Sequence, residues 1–248
     1  MKKQLLFALM TGAVLTACKK DDPATPAADP SATIKVSYTF VNGTQPFTLD
    51  STVTDSLGRK VRFSVARFLT SSYHMKDDAH TVIGDYHDRY ILADAAVASN
   101  LYTLGTITPQ HTHSLELQIG LDSAVNHSDP TQYTTAPLND ATMHWSWNPA
   151  AGYKFLALEG RVDANGDGVV DANDPEFTYH CATDGLRTPA EVHAHNDLSN
   201  GETFTVAITV DMGALLQGVD VAGNLMAMGA TPVNQRLVQN LALALDAD

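Results

Sequence analysis

The chain has 248 residues, 44% hydrophobic and 17% charged, with 28 acidic residues against 15 Lys and Arg and a formal charge of −13. An acidic chain lacks the basic face that nucleic-acid phosphates require, and it suits divalent cations better.

Lys2 and Lys3 precede a short apolar run from Leu5 to Leu15, which ends in Leu15-Thr16-Ala17-Cys18. The run is too short to span a bilayer, and the small residues before the cysteine mark a cleavage site. Residues 1–17 therefore read as a lipoprotein signal peptide, with Cys18 the lipidated first residue of the mature chain. Cleavage removes two lysines and no acids, which takes the charge from −13 to −15. Cys181 is then the sole thiol, so no intramolecular disulfide can form, and a buried, inert side chain is expected there. Residues 18–33, rich in Pro, Ala and Asp after Cys18, read as a flexible tether. The Lys-Lys-Asp-Asp after Cys18 is similar to the surface-export signal of Bacteroidota lipoproteins. An outer-membrane lipoprotein facing the periplasm or the cell surface is expected.

The remaining stretch, 34–248, is long enough for one sizeable core and shows no second linker. Ile34, Val36, Tyr38 and Phe40 alternate with polar residues before an Asn42-Gly43 turn. Residues 58–69, "DRYILADAAV", "HTHSLELQIGL", "GYKFLALEGRV" and "ETFTVAITVDM" read as further strands. The run "MHWSW" (143–147) also has a strand-like pattern. It would place Met143, Trp145 and Trp147 on one face and His144 on the other. Only "PVNQRLVQNLALAL" carries apolar residues at helical spacing, and it is expected to cover a sheet edge. The expected fold is all-β: an antiparallel β-sandwich, immunoglobulin-like or Greek-key, with a short C-terminal helix.

"DANGDGVVDAND" spans Asp163 to Asp174. Asp163, Asn165 and Asp167 hold positions 1, 3 and 5 of an EF-hand-like loop, and Gly168 holds position 6. Val169 would offer its carbonyl, with Asp171 at position 9 and Asp174 at position 12. A hard cation needs six or seven oxygens brought together in this way, so the loop is expected to bind calcium. Without flanking helices, its role would be to pin an excursion between strands. The competing reading is a polar turn that forms without metal.

Ten histidines are present. His111-x-His113 and His193-x-His195 each place two imidazoles on one strand face, as a copper or zinc chelate requires. Solvated sheet edges are the preferred reading of both pairs.

Three further segments carry a resemblance: "IGLDSAVNHSD", "APLNDATMHWSWNPAAGYKFLALEG" and "FTYHCATDG". Gly120, Asp122, Asn126 and His127, then Pro137, Leu138, Met143, Trp145, Trp147, Gly152, Tyr153, Phe155, Glu159 and Gly160, then His180, resemble the motif of the MbnP-like family. Ser71 loosely fits its serine. The resemblance implies a copper-binding β-sandwich encoded beside a MauG-like di-haem cytochrome c peroxidase, which can oxidise a motif tryptophan to kynurenine. It implies His127 and His180 as copper ligands and Trp145 or Trp147 as the modified residue. His74 and His144 are added as local candidates without motif support. His180-Cys181-Ala182 departs from the family's His-Leu-Gly, and two residues are inserted before Gly152-Tyr153; both bear on copper geometry.

The expectation is a lipid-anchored extracytoplasmic copper-binding protein for copper acquisition or homeostasis, not an enzyme; a hydrolase lacks support, since no G-x-S-x-G or H-E-x-x-H is present and Cys181 has no argued base. The alternative is a calcium-stabilised surface β-sandwich that binds a protein or glycan.

Overall fold

The computed structural model describes residues 29–145 and 148–247. Cys18, the expected signal peptide, most of the expected tether and Trp147 lie outside them. Thirteen strands and three helices are present among the described residues, and no helix is long and apolar enough to cross a membrane.

Two mixed sheets form the body. The first contains β1 (Ala32–Asn42), β2 (Gln45–Pro46), β6 (Asn100–Ile107), β11 (Thr203–Asp211) and β13 (Leu245–Ala247). The second centres on the 17-residue β4 (Lys60–Lys76). Its main path runs β10 (Thr188–Asp197), β7 (His111–Ile119), β4, β8 (Lys154–Val162), β9 (Glu176–Ala182) and β12 (Met226–Met228). β3 (Thr52–Thr54) and β5 (Val82–Asp94) also pair with β4. The expected sandwich is present, but its sheets are not purely antiparallel: β1 pairs with β11, and β9 with β12, in parallel.

Alternation explains the core. Ile34, Val36, Tyr38 and Phe40 are all buried on one face of β1, as their period-two spacing requires. Tyr38 and Phe40 meet Phe68 of β4 edge-on, with ring centroids 5.6 and 6.2 Å apart, which joins the two sheets. The Tyr38 hydroxyl lies 2.9 Å from that of Tyr73 in the same interior. Burial pushes the Tyr38 phenol up to about 12. Cys181 is fully buried with its thiol pushed up by desolvation, in keeping with an inert role.

α1 (Ser123–Asn126) and α2 (Met212–Leu215) are single turns, while α3 (Pro232–Ala244) is the expected C-terminal helix. Thr231 caps α3 and Pro232 opens it. Its buried Asn234 donates to the carbonyls of His180, Ala227 and Gly229, which fixes the helix to the ends of β9 and β12.

"MHWSW" does not form the expected strand. Its described part, residues 143–145, leaves a turn and makes a single bridge, His144 to Tyr153. Close turns at Pro137–Asp140 and Asp140–Met143 bring the chain in too tightly for an extended ladder.

Gly160 lies where β8 presses on β4. A Cβ there would stand 2.1 Å from the Arg62 carbonyl oxygen and 2.9 Å from the Phe63 Cα. Both are backbone atoms of the central strand and cannot swing aside. Gly160→Ala is expected to destabilise the fold by roughly 1–3 kcal/mol, the usual range for overpacking, as read by urea denaturation.

Candidate metal centre

Three chain segments converge on one end of the larger sheet. In the first, Gly120 (φ +95°) turns the chain out of β7, and a Cβ there would meet the Phe155 ring at 2.3 Å. Its carbonyl accepts the Ser71 hydroxyl at 2.7 Å. Asp122 then caps α1 through the Val125 amide at 3.1 Å and accepts the Tyr90 hydroxyl at 3.0 Å.

α1 ends in Asn126, which is fully buried. Its Oδ1 accepts the Tyr153 amide at 2.8 Å, and its Nδ2 donates to Asp184 at 2.7 Å. His127 follows, with Nε2 3.2 Å from the second oxygen of Asp184. Donors from Ser123, Asn126 and His127 hold the Asp184 carboxyl below the usual carboxylate range.

The second segment, 137–153, folds back on itself. The Tyr153 hydroxyl donates to the Leu138 carbonyl at 2.6 Å. The Trp145 amide donates to Gly152 at 3.0 Å, and the Lys154 amide to Met143 at 2.7 Å. Trp145 is thereby 5% exposed and packs with Ala151, Ala182 and the half-buried Met228.

β9 and β12 supply the third segment. His180 and Met228 are in register across the β9–β12 pair, so their side chains stand side by side. Glu159 sits diagonally across the β8–β9 pair from His180, on the same face, and its carboxylate reaches Nε2 at 2.8 Å. The Trp145 ring centroid is 6.3 Å from that of His180.

A cleft of about 420 Å³ is lined by His144, Trp145, Lys154, Glu159, His180, Met228 and Arg67, among others. His144 thus shares the cleft with Trp145, contrary to the face separation expected of a strand, because a turn does not alternate its side chains. Nδ1 of His144 is buried and has no hydrogen-bond partner.

Burial lowers the pKa of both His144 and His180; for His180 the Glu159 hydrogen bond works against that shift, and Lys154 and Arg67 add to it. Lys154 is itself lowered by burial. The cleft therefore presents neutral imidazoles, the form that ligates a metal.

Of the residues proposed from sequence, His144, Trp145 and His180 come together. His127 lies against Asp184 and is not among the cleft-lining residues. His74 stands on β4, 3.4 Å from Asp85. Glu159 belongs to the motif but was not proposed as part of the site, and Met228, Lys154 and Arg67 were not singled out. Strand registers, invisible in one sequence, bring Met228 and Glu159 to His180.

The Asp163–Asp174 loop joins β8 to β9 without flanking helices. Asp163 accepts the amides of Gly166 and Gly168 at 2.7 and 2.8 Å, and Asp174 accepts that of Asp171 at 2.9 Å. Asp163 and Asp174 are buried, whereas Asn165 and Asp167 face solvent.

Fold and cleft together define a two-sheet β-sandwich with imidazole, thioether and indole groups gathered at one sheet end. The MbnP family profile matches residues 29–234, and the chain belongs to that family. Among solved structures, MbnP from Methylosinus trichosporium is similar at 16% identity and a TM-score of 0.52, over 75% of this chain and 78% of that one. At that identity the likeness is one of fold. No curated protein matches the chain significantly.

The lowered histidines predict a pH dependence for the metal-free protein. A base whose pKa falls on folding adds stability above its unfolded pKa, and that stability is lost as pH drops through the folded value. Stability should therefore fall below about pH 6.5, the unperturbed histidine value. The loss between pH 7 and 5 should be smaller in H144Q/H180Q, as read by denaturant midpoints at each pH. An equal loss in both proteins would show that these two groups do not contribute.

Proposed function

We propose that the chain is a lipid-anchored extracytoplasmic copper-binding protein and that the His144–Trp145–His180 cleft is its copper site. The observation that supports this most is the unpartnered, buried Nδ1 of His144, in one cleft with His180 and the Met228 thioether. A buried polar atom without a partner is costly unless something binds it. Imidazole and thioether donors suit copper, and the MbnP family is associated with copper. His144 and His180 would hold the ion, with Glu159 orienting the His180 ring.

Trp145 belongs to the same reading. A MauG-like di-haem peroxidase partner would oxidise Trp145 or Trp147. Cleaving the indole C2–C3 bond to N-formylkynurenine is a four-electron oxidation that adds two oxygen atoms; two peroxides would balance it, each giving up one oxygen atom and leaving as water. Hydrolytic loss of formate would then leave kynurenine, whose aryl amine and carbonyl, if formed at Trp145, would add donors to the cleft. Lipidated Cys18 would tether the domain to the outer membrane, and the chain would serve copper acquisition or homeostasis by binding.

Protein from the native host is expected to carry about one copper per chain and the mass of one kynurenine in the 143–160 segment. His180→Ala should weaken copper binding by at least about tenfold, the scale seen even when outer-shell partners are lost. Copper well below one per chain, together with intact tryptophans, would overturn the assignment.

For the Asp163–Asp174 loop, the reading is a structural calcium site. It is supported by burial of the carboxylates at positions 1 and 12, Asp163 and Asp174, which are 3% and 4% exposed. Among the described residues, neither carboxylate forms an ion pair with a Lys or Arg side chain. Calcium should raise the melting temperature of the wild type, and Asp163→Ala should abolish that rise. A wild type indifferent to calcium would leave the loop as a polar turn.

A further inference from the structure

The two His-x-His pairs do not lie on separate edges. β10 pairs antiparallel with β7, and the register shifts between His193 and Asn196. His193 faces Ser114 and Asn196 faces Thr112, so Ala194 and His195 together oppose His113. This extra residue is a β-bulge, a device that re-aims side chains.

The result is a cluster of imidazoles. The His113 ring centroid lies 4.4 Å from that of His195 and 6.3 Å from that of His193. His111 lies 5.9 Å from His195. The hairpin between β4 and β5 contributes two more groups. Asp77 closes that turn by accepting the amides of Ala79 and Thr81, both at 2.9 Å, which directs Asp78 and His80 outward. His80 has a φ of +57° and places its ring 5.4 Å from His113. Asp78 contacts His113 Nδ1 at 3.0 Å and His111 Nε2 at 3.4 Å. The ligating atoms of Asp78, His113 and His195 lie within 4.8 Å of one another.

We infer that this cluster is a second metal site, for a divalent ion of the zinc(II) or copper(II) class, held by His113, His195 and Asp78. Imidazole nitrogens with one carboxylate oxygen suit these ions and not the hard, oxygen-seeking ones. A tetrahedral ion with bonds near 2.0–2.1 Å sets its donors about 3.3 Å apart, so closure needs movements of roughly 1.5 Å. Asp78 on its turn and His195 on the edge strand β10 are both exposed and can make such movements. His111 and His193 are in reach as further ligands. Lys76, opposite Ser114 across the β4–β7 pair, is engaged by Glu116 and Glu191 and so opposes an incoming ion less. Asp78 and His195 are exposed and His113 is half-buried, so an ion can enter directly.

The site is distinct from the cleft. β7 and β9 are three steps apart in the sheet, roughly 14 Å at ordinary strand spacing.

The test is calorimetric titration of zinc(II), and separately copper(II), into the metal-stripped full chain. H113A/H195A and His180→Ala serve as separate arms. Wild type and His180→Ala should each bind one zinc at this site, and H113A/H195A should lose that equivalent or bind it at least tenfold more weakly. Retained copper binding in H113A/H195A would show that its cleft is intact. Zinc and copper binding unchanged in H113A/H195A, or no metal bound by the wild type beyond what His180→Ala loses, would overturn the site. Should H113A/H195A fail to fold, imidazole NMR shifts of the wild type decide instead. Zinc must shift the His113 and His195 resonances, and their invariance would overturn the proposal.

Discussion

One buried amide holds the functional end of this protein together. Asn126 has no exposed surface, yet its side chain spans two elements: the Tyr153 amide at the entry to β8 and the Asp184 carboxylate beyond β9. A carboxamide is suited to this because it offers an acceptor and donors on one rigid plane. Gly152 is required by the same contact. Its φ is +70°, and a Cβ would fall 2.3 Å from Asn126 Oδ1. The chain can bring the Tyr153 amide to Asn126 only where no side chain intervenes. Without that closure the Trp145 turn would lose its lower anchor, and the cleft would lose one wall.

Charge and burial then set the character of the cleft. Arg67 and Lys154 line it beside Glu159, and Arg67 also lies 3.7 Å from Asp140. Desolvation keeps protons off both His180 and His144, and the positive charges of Lys154 and Arg67 add to it at His180. The His180 ring is nonetheless oriented, since Glu159 engages Nε2. An imidazole that is neutral, oriented and half-buried competes poorly for protons and well for a soft or borderline metal.

What could be read from the chain follows from how local each signal is. β1, β11 and α3 were legible because their burial faces repeat every two or 3.6 residues, from Ile34 to Phe40 and from Val233 to Leu241. β6 and β9 carry no such strand signal, and β10 shows one only at its His193-x-His195 pair. The inward face of β10 is Ala190, Val192 and Ala194, small side chains that leave a weak hydrophobic signal. "MHWSW" misled in the other direction, since alternation over five residues looks extended even where backbone turns at Asp140 and Met143 prevent a ladder. The motif residues were legible as a set, yet their partition was not. Asp184, which draws His127 away from the cleft lining, carries no pattern of its own, and Met228 lies 48 positions from the histidine beside it in register.

The same limit explains the histidine cluster. Each His-x-His pair, read alone, is a short polar alternation that a solvated edge would produce equally well. Only the β7–β10 register sets one pair against the other, and only the bulge at Ala194–His195 places two residues opposite His113. The β4–β5 turn then completes the group, because Lys76 pairs with Ser114 and so carries Asp78 and His80 past His113. Side chains from three sequence-distant segments converge through ladder geometry, with no apolar burial to reward their meeting. Packing alone gives no account of five imidazoles in mutual reach on an exposed surface, where each would be better hydrated apart. A shared ion supplies the attraction that packing does not.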